Sequence, residues 1–185
     1  MNKKWFLIIC VFFATPSLAD SGFIGGISLG SSNQKVDSSF VNDGSSNSYG
    51  IRGSYQFSDY FRLSLEFKEY GKAENKYKPP FDPLVWDIET SSINLGARAS
   101  LPIFSKASIY GEAGYSDWDI EVLATNQNLS ARIKDGGSDL YYRLGVTYQV
   151  FEKVFTSIEY LTVDMGLPGG DHTVRDISLS IGYKF

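Results

Sequence analysis

The chain has 185 residues, 43% of them hydrophobic and 21% charged, with a formal net charge of −4 and a mean hydropathy of −0.15. That length leaves room for one domain, no run of about 18 apolar residues offers a helical membrane span, and an acidic balance spread along the chain argues against nucleic acid as a partner. A membrane β-barrel escapes the hydropathy argument, because polar lumen residues alternate with its lipid-facing ones.

Taken in order, the chain opens on Lys3 and Lys4, a short greasy run from Trp5 to Phe13, and small residues in Ser17-Leu18-Ala19. This is the pattern of a secretory signal peptide, residues 1–19, cleaved after Ala19 to leave a mature domain over 20–185. Cys10, the one cysteine, falls in the removed part, so a disulfide scaffold and a Cys-ligated metal are both excluded from the mature chain.

From Gly22 onward the sequence alternates between apolar and small or polar residues, the period of a strand with two unlike faces. Gly22–Gly30 is the first such stretch, followed by a polar loop over Ser31–Ser48. Tyr49, Ile51, Gly53, Tyr55 and Phe57 then oppose Gly50, Arg52, Ser54 and Gln56, and a turn at Ser58-Asp59 leads into Phe61, Leu63, Leu65 and Phe67 opposed to Arg62, Ser64, Glu66 and Lys68. The second long loop, Tyr70 to Asp87, contains Pro79, Pro80 and Pro83, which disfavour regular sheet. Strands four and five carry Ile93 to Leu101 and Ala107 to Tyr115 around a short turn at Pro102–Lys106, and a third loop is expected over Ser116–Ser138. Strand six (Tyr142 to Val150) turns at Phe151–Lys153 into strand seven (Thr156 to Tyr160), and the Gly-rich Asp164–Thr173 makes the fourth loop. The chain closes on Ile177, Leu179, Ile181, Tyr183 and Phe185, opposed to Asp176, Ser178, Ser180, Gly182 and Lys184.

Eight stretches of about ten residues, with long and short connections alternating, predict an all-β fold: an eight-stranded antiparallel up-and-down transmembrane β-barrel with its long loops at one end. A soluble barrel of lipocalin type shows the same alternation, with a water-facing side dense in Lys and Glu. Here the polar face is mostly Ser, Gly, Thr and Gln, and aromatics gather at both ends of the apolar face: Phe57, Phe61, Tyr148, Tyr183 and Phe185 near the short turns, and Tyr49, Tyr115 and Tyr160 toward the long loops. Two aromatic rims suit two membrane interfaces.

The stretch Ile109-Tyr110-Gly111-Glu112-Ala113-Gly114-Tyr115, the pair Glu159-Tyr160 and the terminal Ile181-Gly182-Tyr183-Lys184-Phe185 resemble the OmpA/OmpX-type eight-stranded outer-membrane barrels over the whole mature length. The resemblance implies a bacterial outer-membrane location and a stand-alone barrel without the peptidoglycan-binding domain of the larger members. It also implies a terminal assembly signal in Leu179, Ile181, Tyr183 and Phe185 that is read by the barrel assembly machinery. Lipid and lipopolysaccharide are the implied surroundings, and a monomer the implied state.

Within the polar face one regularity stands out. Arg52 and Glu66 are equidistant from Asp59, Arg98 and Glu112 from Ser105, and Arg143 and Glu159 from Phe151, so each short hairpin repeats an Arg beside a Glu. Ions in a narrow lumen must be paired, and Arg offers a planar fork to two carboxylate oxygens. The favoured reading is a lumen closed by these pairs, and the alternative is an ion path with a salt-bridge gate.

No catalytic, metal or cofactor residues are assigned. Lipid A-modifying barrel enzymes, to which the resemblance extends, use His with Ser and an acidic partner. The one histidine, His172, lies beside Asp171 and Thr173 without a Ser at matching spacing and reads as an exposed loop residue. Asp117 and Asp119 supply too few oxygens for a dedicated cation site. The long loops do carry surplus apolar residues: Phe40, Val41, Tyr77, Phe81, Leu84, Val85, Trp86, Trp118, Ile120, Val122 and Leu123. These either pack on one another or form a contact patch, with Phe81, Trp86 and Trp118 as the contact candidates. The functional expectation is a structural or surface-interaction role toward a host or surface ligand, a narrow channel second and a lipid-modifying enzyme third.

Overall fold

A computed structural model describes residues 22–36, 44–76, 85–126, 129–167 and 170–185. The expected signal peptide, Phe40, Val41, Tyr77, Phe81, Leu84 and the three loop prolines Pro79, Pro80 and Pro83 lie outside them. Eight strands follow one another: β1 (Phe23–Val36), β2 (Gly44–Gln56), β3 (Phe61–Lys76), β4 (Val85–Phe104), β5 (Ala107–Asn126), β6 (Leu129–Phe151), β7 (Val154–Leu167) and β8 (Gly170–Lys184). Each pairs antiparallel with the next, and β1 meets β8 from Ile24↔Lys184 to Val36↔His172, so the ring closes. Closure removes every sheet edge, and with no water available inside a bilayer a spanning sheet has to close in this way.

The expected alternation decides which way each strand faces. Ile27, Leu29, Ile51, Leu95, Leu101, Leu144, Ile158, Leu179 and Ile181 all point outward and are exposed, while Ser28, Glu66, Arg98, Glu112, Arg143 and Glu159 are buried inside. Exposed aromatics bracket this apolar wall. Phe57, Phe61, Tyr148, Tyr183 and Phe185 lie at the short-turn end, and Tyr49, Tyr115 and Tyr160 lie toward the long hairpins. Phe185 closes the seam, its amide donating to the Phe23 carbonyl at 3.0 Å and its ring 5.8 Å from that of Phe23.

The strands are longer than the sequence reading allowed. Most of Ser31–Ser48, the flanks of Tyr70–Asp87, nearly all of Ser116–Ser138 and both ends of Asp164–Thr173, all expected as loops, belong to paired strands. The backbone ladder asks only for paired N–H and C=O groups, so loss of outward greasiness does not end a strand. What changes is the phase of the pattern. Along β5, Ile109, Ala113 and Tyr115 face out and Tyr110 and Glu112 face in; beyond them, with the same strand parity, Asp117 and Asp119 face out while Trp118 and Ile120 are buried. β5 has 20 residues, about twice the length that a bilayer crossing requires. The excess forms a wall with water-compatible outer residues and an apolar filling of Tyr70, Ile88, Trp118, Ile120, Tyr141, Leu161, Val163, Met165 and Val174.

Two corrections concern residues singled out from sequence. Trp118, a candidate for loop contact, is 2% exposed and donates from Nε1 to Asp139 Oδ2 at 2.8 Å. His172, read as an exposed loop residue, is fully buried in β8 opposite Met165. Both were misplaced for the same reason, since strands running past the lipid belt turn their inward residues into a core. Trp86 is a backbone position of β4, paired with Ala124.

A register shift between Glu69 and Lys72 interrupts the β3–β4 ladder. Gly71 sits there with φ of +74°, and a Cβ at this position would run into the Asn47 carbonyl. Only glycine takes that conformation without strain.

Candidate functional site

Antiparallel register sets the positions of the lumen charges. Arg52 stands directly opposite Glu66, and Arg98 directly opposite Glu112. The third expected pair is different. The β6–β7 ladder is centred on Glu152, so Arg143 stands opposite Leu161 and Glu159 opposite Gly145, and a count centred on Phe151 misses by two. On its other side Arg143 stands opposite Glu112.

The six side chains therefore form one network. Arg52 forks onto Glu159, Nη1 to Oε1 at 2.8 Å and Nη2 to Oε2 at 2.6 Å, and Nη2 also reaches Glu66 Oε1 at 2.7 Å. Arg143 donates from Nη1 to Glu112 Oε1 at 2.6 Å and from Nη2 to Glu66 Oε2, with Glu159 Oε2 3.7 Å from its Nε. Arg98 Nε donates to Glu112 Oε2 at 2.9 Å. Neutral groups complete the carboxylates: the Tyr141 hydroxyl donates to Glu112 at 2.8 Å, and Ser180 donates to Glu159 at 3.0 Å. The Arg98 guanidinium carbon also lies over the Tyr110 ring, 3.6 Å from its centroid, and Tyr110 packs against Gly145, where a Cβ would meet the ring at 2.6 Å. Three guanidinium and three carboxylate groups balance in charge, and each carboxylate is shared between two arginines. Such sharing offsets the desolvation of a buried ion better than isolated pairs do.

A further ion pair escaped the sequence reading. Lys68 Nζ lies 2.7 Å from Asp176 Oδ1 and 3.2 Å from Ser178 Oγ, Ser48 donates to the other Asp176 oxygen, and all four residues are buried. Lys68 and Asp176 are far apart in sequence and meet only because β3 and β8 face each other across the lumen. No hairpin symmetry signals such a pair.

Upward from the network the lumen is thus filled by the Lys68–Asp176 pair and then by the apolar cluster. Below it, an inner cavity of about 30 Å³ touches Ser28, Arg52, Ser54 and Arg98. Among the described residues no group of three His, Cys, Asp or Glu side chains stands together as a metal site. A concavity of about 940 Å³ lies on the apolar outer wall against Leu101, Ile109, Leu144 and Ile158.

Residues 6–185 match the family model described as the outer membrane protein beta-barrel domain. The chain belongs to this family. Among solved structures it is similar to Neisserial surface protein A, with 18% identity, a TM-score of 0.68, and 89% of this chain and 98% of that one covered. It is also similar to Ail, the attachment invasion locus protein of Yersinia pestis, with 17% identity, a TM-score of 0.59, and 89% and 99% covered. A third is the outer membrane protein OprG of Pseudomonas aeruginosa, with 19% identity, a TM-score of 0.53, and 88% and 95% covered. At these identities the likeness establishes the shared barrel fold. No curated protein matches the sequence.

Outside the apolar belt the wall has its own electrostatics. Glu121 on β5 is held between two β6 cations, Lys134 at 2.5 Å and Arg132 at 3.0 Å, and the Lys134 hydrogen bond keeps its carboxyl below the usual range. His172 lies inside the same wall, where burial lowers its imidazole to about 4, and neither ring nitrogen has a partner among the described residues.

Proposed function

We propose that the protein is an exported, monomeric barrel of the bacterial outer membrane that makes surface contacts through its long hairpins, with the short turns and both termini toward the periplasm. The observation that carries this reading is the projecting wall. Strands β4 to β6 continue well beyond the upper tyrosines, with Asp117, Asp119, Lys134 and Arg132 on the outside and a packed apolar filling inside. A stiff, charged palisade is a display platform, because a ligand meets residues that are already ordered and loses little entropy on binding. The names of two similar proteins, a surface protein and an attachment invasion locus protein, point the same way. The terminal strand, with Leu179, Ile181, Tyr183 and Phe185 facing lipid, is available to the assembly machinery, and the surrounding partners are lipid and lipopolysaccharide.

The shared Arg–Glu network argues against the channel reading, since ions would have to break several charge-assisted bonds in a water-poor lumen. The test pairs two measurements. Cells displaying the protein should attach to host cells or matrix more than cells lacking it, and shortening the β5–β6 hairpin to the level of Tyr115 and Leu140 should abolish the difference while the barrel still folds. Purified protein in planar bilayers should give no steady conductance. Attachment unaffected by that shortening, or a stable open channel, would overturn the reading.

A further inference from the structure

The charge balance of the lumen fails at its short-turn end. Arg52, Arg98 and Arg143 are matched by Glu66, Glu112 and Glu159, but Arg62, on the same face of β3 as Glu66, has no carboxylate within ion-pair distance among the described residues. Its one side-chain hydrogen bond is to the neutral Gln56 Oε1, at 3.3 Å. Its neighbour on β4 is Arg98, so two arginines occupy directly opposed positions on adjacent strands. Like charges so placed repel. Arg98 is only 3% exposed, and its Nη2 lacks an acceptor, as does Arg62 Nε. A buried guanidinium with an unmatched donor is costly, and the group best suited to it is an oxyanion that accepts two N–H bonds at once.

Space for one is at hand. A cavity of about 390 Å³ at the short-turn end is walled by Arg62, Arg98, Ser100, Ser108 and Thr147, and Lys106, Lys184, Asp59 and Glu152 line it as well. Arg62, Arg98 and Thr147 also wall the inner cavity beneath the network, so the two spaces adjoin. We propose that this vestibule binds a small oxyanion of the phosphate class, held between the guanidinium groups of Arg62 and Arg98. The site is independent of the surface-contact reading, for it lies at the opposite end of the barrel.

Guanidinium Nε–H resonances test this on the folded protein in dodecyl maltoside, a detergent without phosphate, titrated with inorganic phosphate against chloride at matched ionic strength. The expected result is a saturable shift of the Arg62 and Arg98 signals in the millimolar range with Arg52 and Arg143 little changed, and loss of that saturation in Arg62→Gln. A parallel titration in a phosphocholine detergent separates the sources: if a lipid headgroup fills the site, the signals start shifted and added phosphate moves them no further. That result, a response equal to chloride's, or an unsaturable drift would overturn the proposal of a free-anion site. The wild-type titration decides the matter even if Arg62→Gln fails to fold, and a phosphate response retained in a folded Arg62→Gln would overturn the role given to Arg62.

Discussion

Glu112 is the residue on which most of the lumen converges, accepting from Arg98, Arg143 and Tyr141. Glu112→Ala should therefore cost about 3 to 5 kcal/mol, the range for breaking a buried pair by removing one partner. A double replacement, Arg98→Met with Glu112→Leu, should recover only part of that loss, because Arg143 and Tyr141 also lose their acceptor. Urea unfolding in lipid vesicles, read as a cycle over both singles and the double, measures the coupling; a value near zero would mean that the two groups do not interact. His172 gives a pH dependence of definite sign. Its folded value, about 4, lies below the 6.5 of a free imidazole, so the unfolded chain takes up the proton first as pH falls. Stability is full above 6.5, declines as pH drops toward 4 and levels off below, a loss on the order of 3 kcal/mol. His172→Leu should flatten that stretch of the stability–pH curve, and a slope unchanged by the substitution would assign it to other groups.

At the scale of the strand, the inversion of phase along β5 makes depth measurable. Ala113 faces outward in the apolar belt, and Asp119 faces outward above it, three strand repeats further along. An Arg on the lipid face near mid-membrane costs about 2 to 4 kcal/mol, and one beyond the interface costs close to nothing. Ala113→Arg should therefore be strongly destabilising in vesicle unfolding and Asp119→Arg nearly neutral. Equal penalties would place both residues in the same medium and remove the projecting wall. The register shifts belong to this scale as well. Of the three, the one between Glu69 and Lys72 is accommodated by Gly71 in its left-handed conformation, and the other two lie beside short turns, at the ends of β4 and β6.

For the whole molecule, the proposed orientation is testable because the one native cysteine, Cys10, is in the expected signal peptide. A cysteine at Asp119 on the outer face of the wall should react with a membrane-impermeant maleimide in intact cells. One at Lys106, in the turn between β4 and β5, should react only after the outer membrane is permeabilised. The reverse pattern would invert the barrel.

Eight strands, their order, their outward and inward faces and two of the Arg–Glu pairs were legible in the sequence, because strand alternation is a local rule and short hairpins hold register by counting from the turn. Arg52–Glu66 and Arg98–Glu112 met that condition. Arg143 did not, since the β6–β7 ladder is centred on Glu152 and a count from Phe151 starts one residue away from that centre. The extent of the strands past the lipid belt was also written in the chain, in the switch from Tyr115 facing out to Trp118 facing in, but it reads as a loop to anyone following outward greasiness alone. Only the closed ring decided what crosses the lumen: Arg52 reaching Glu159 and Lys68 reaching Asp176. Those contacts join strands distant in sequence, and their partners depend on barrel diameter and stagger, which no local pattern encodes.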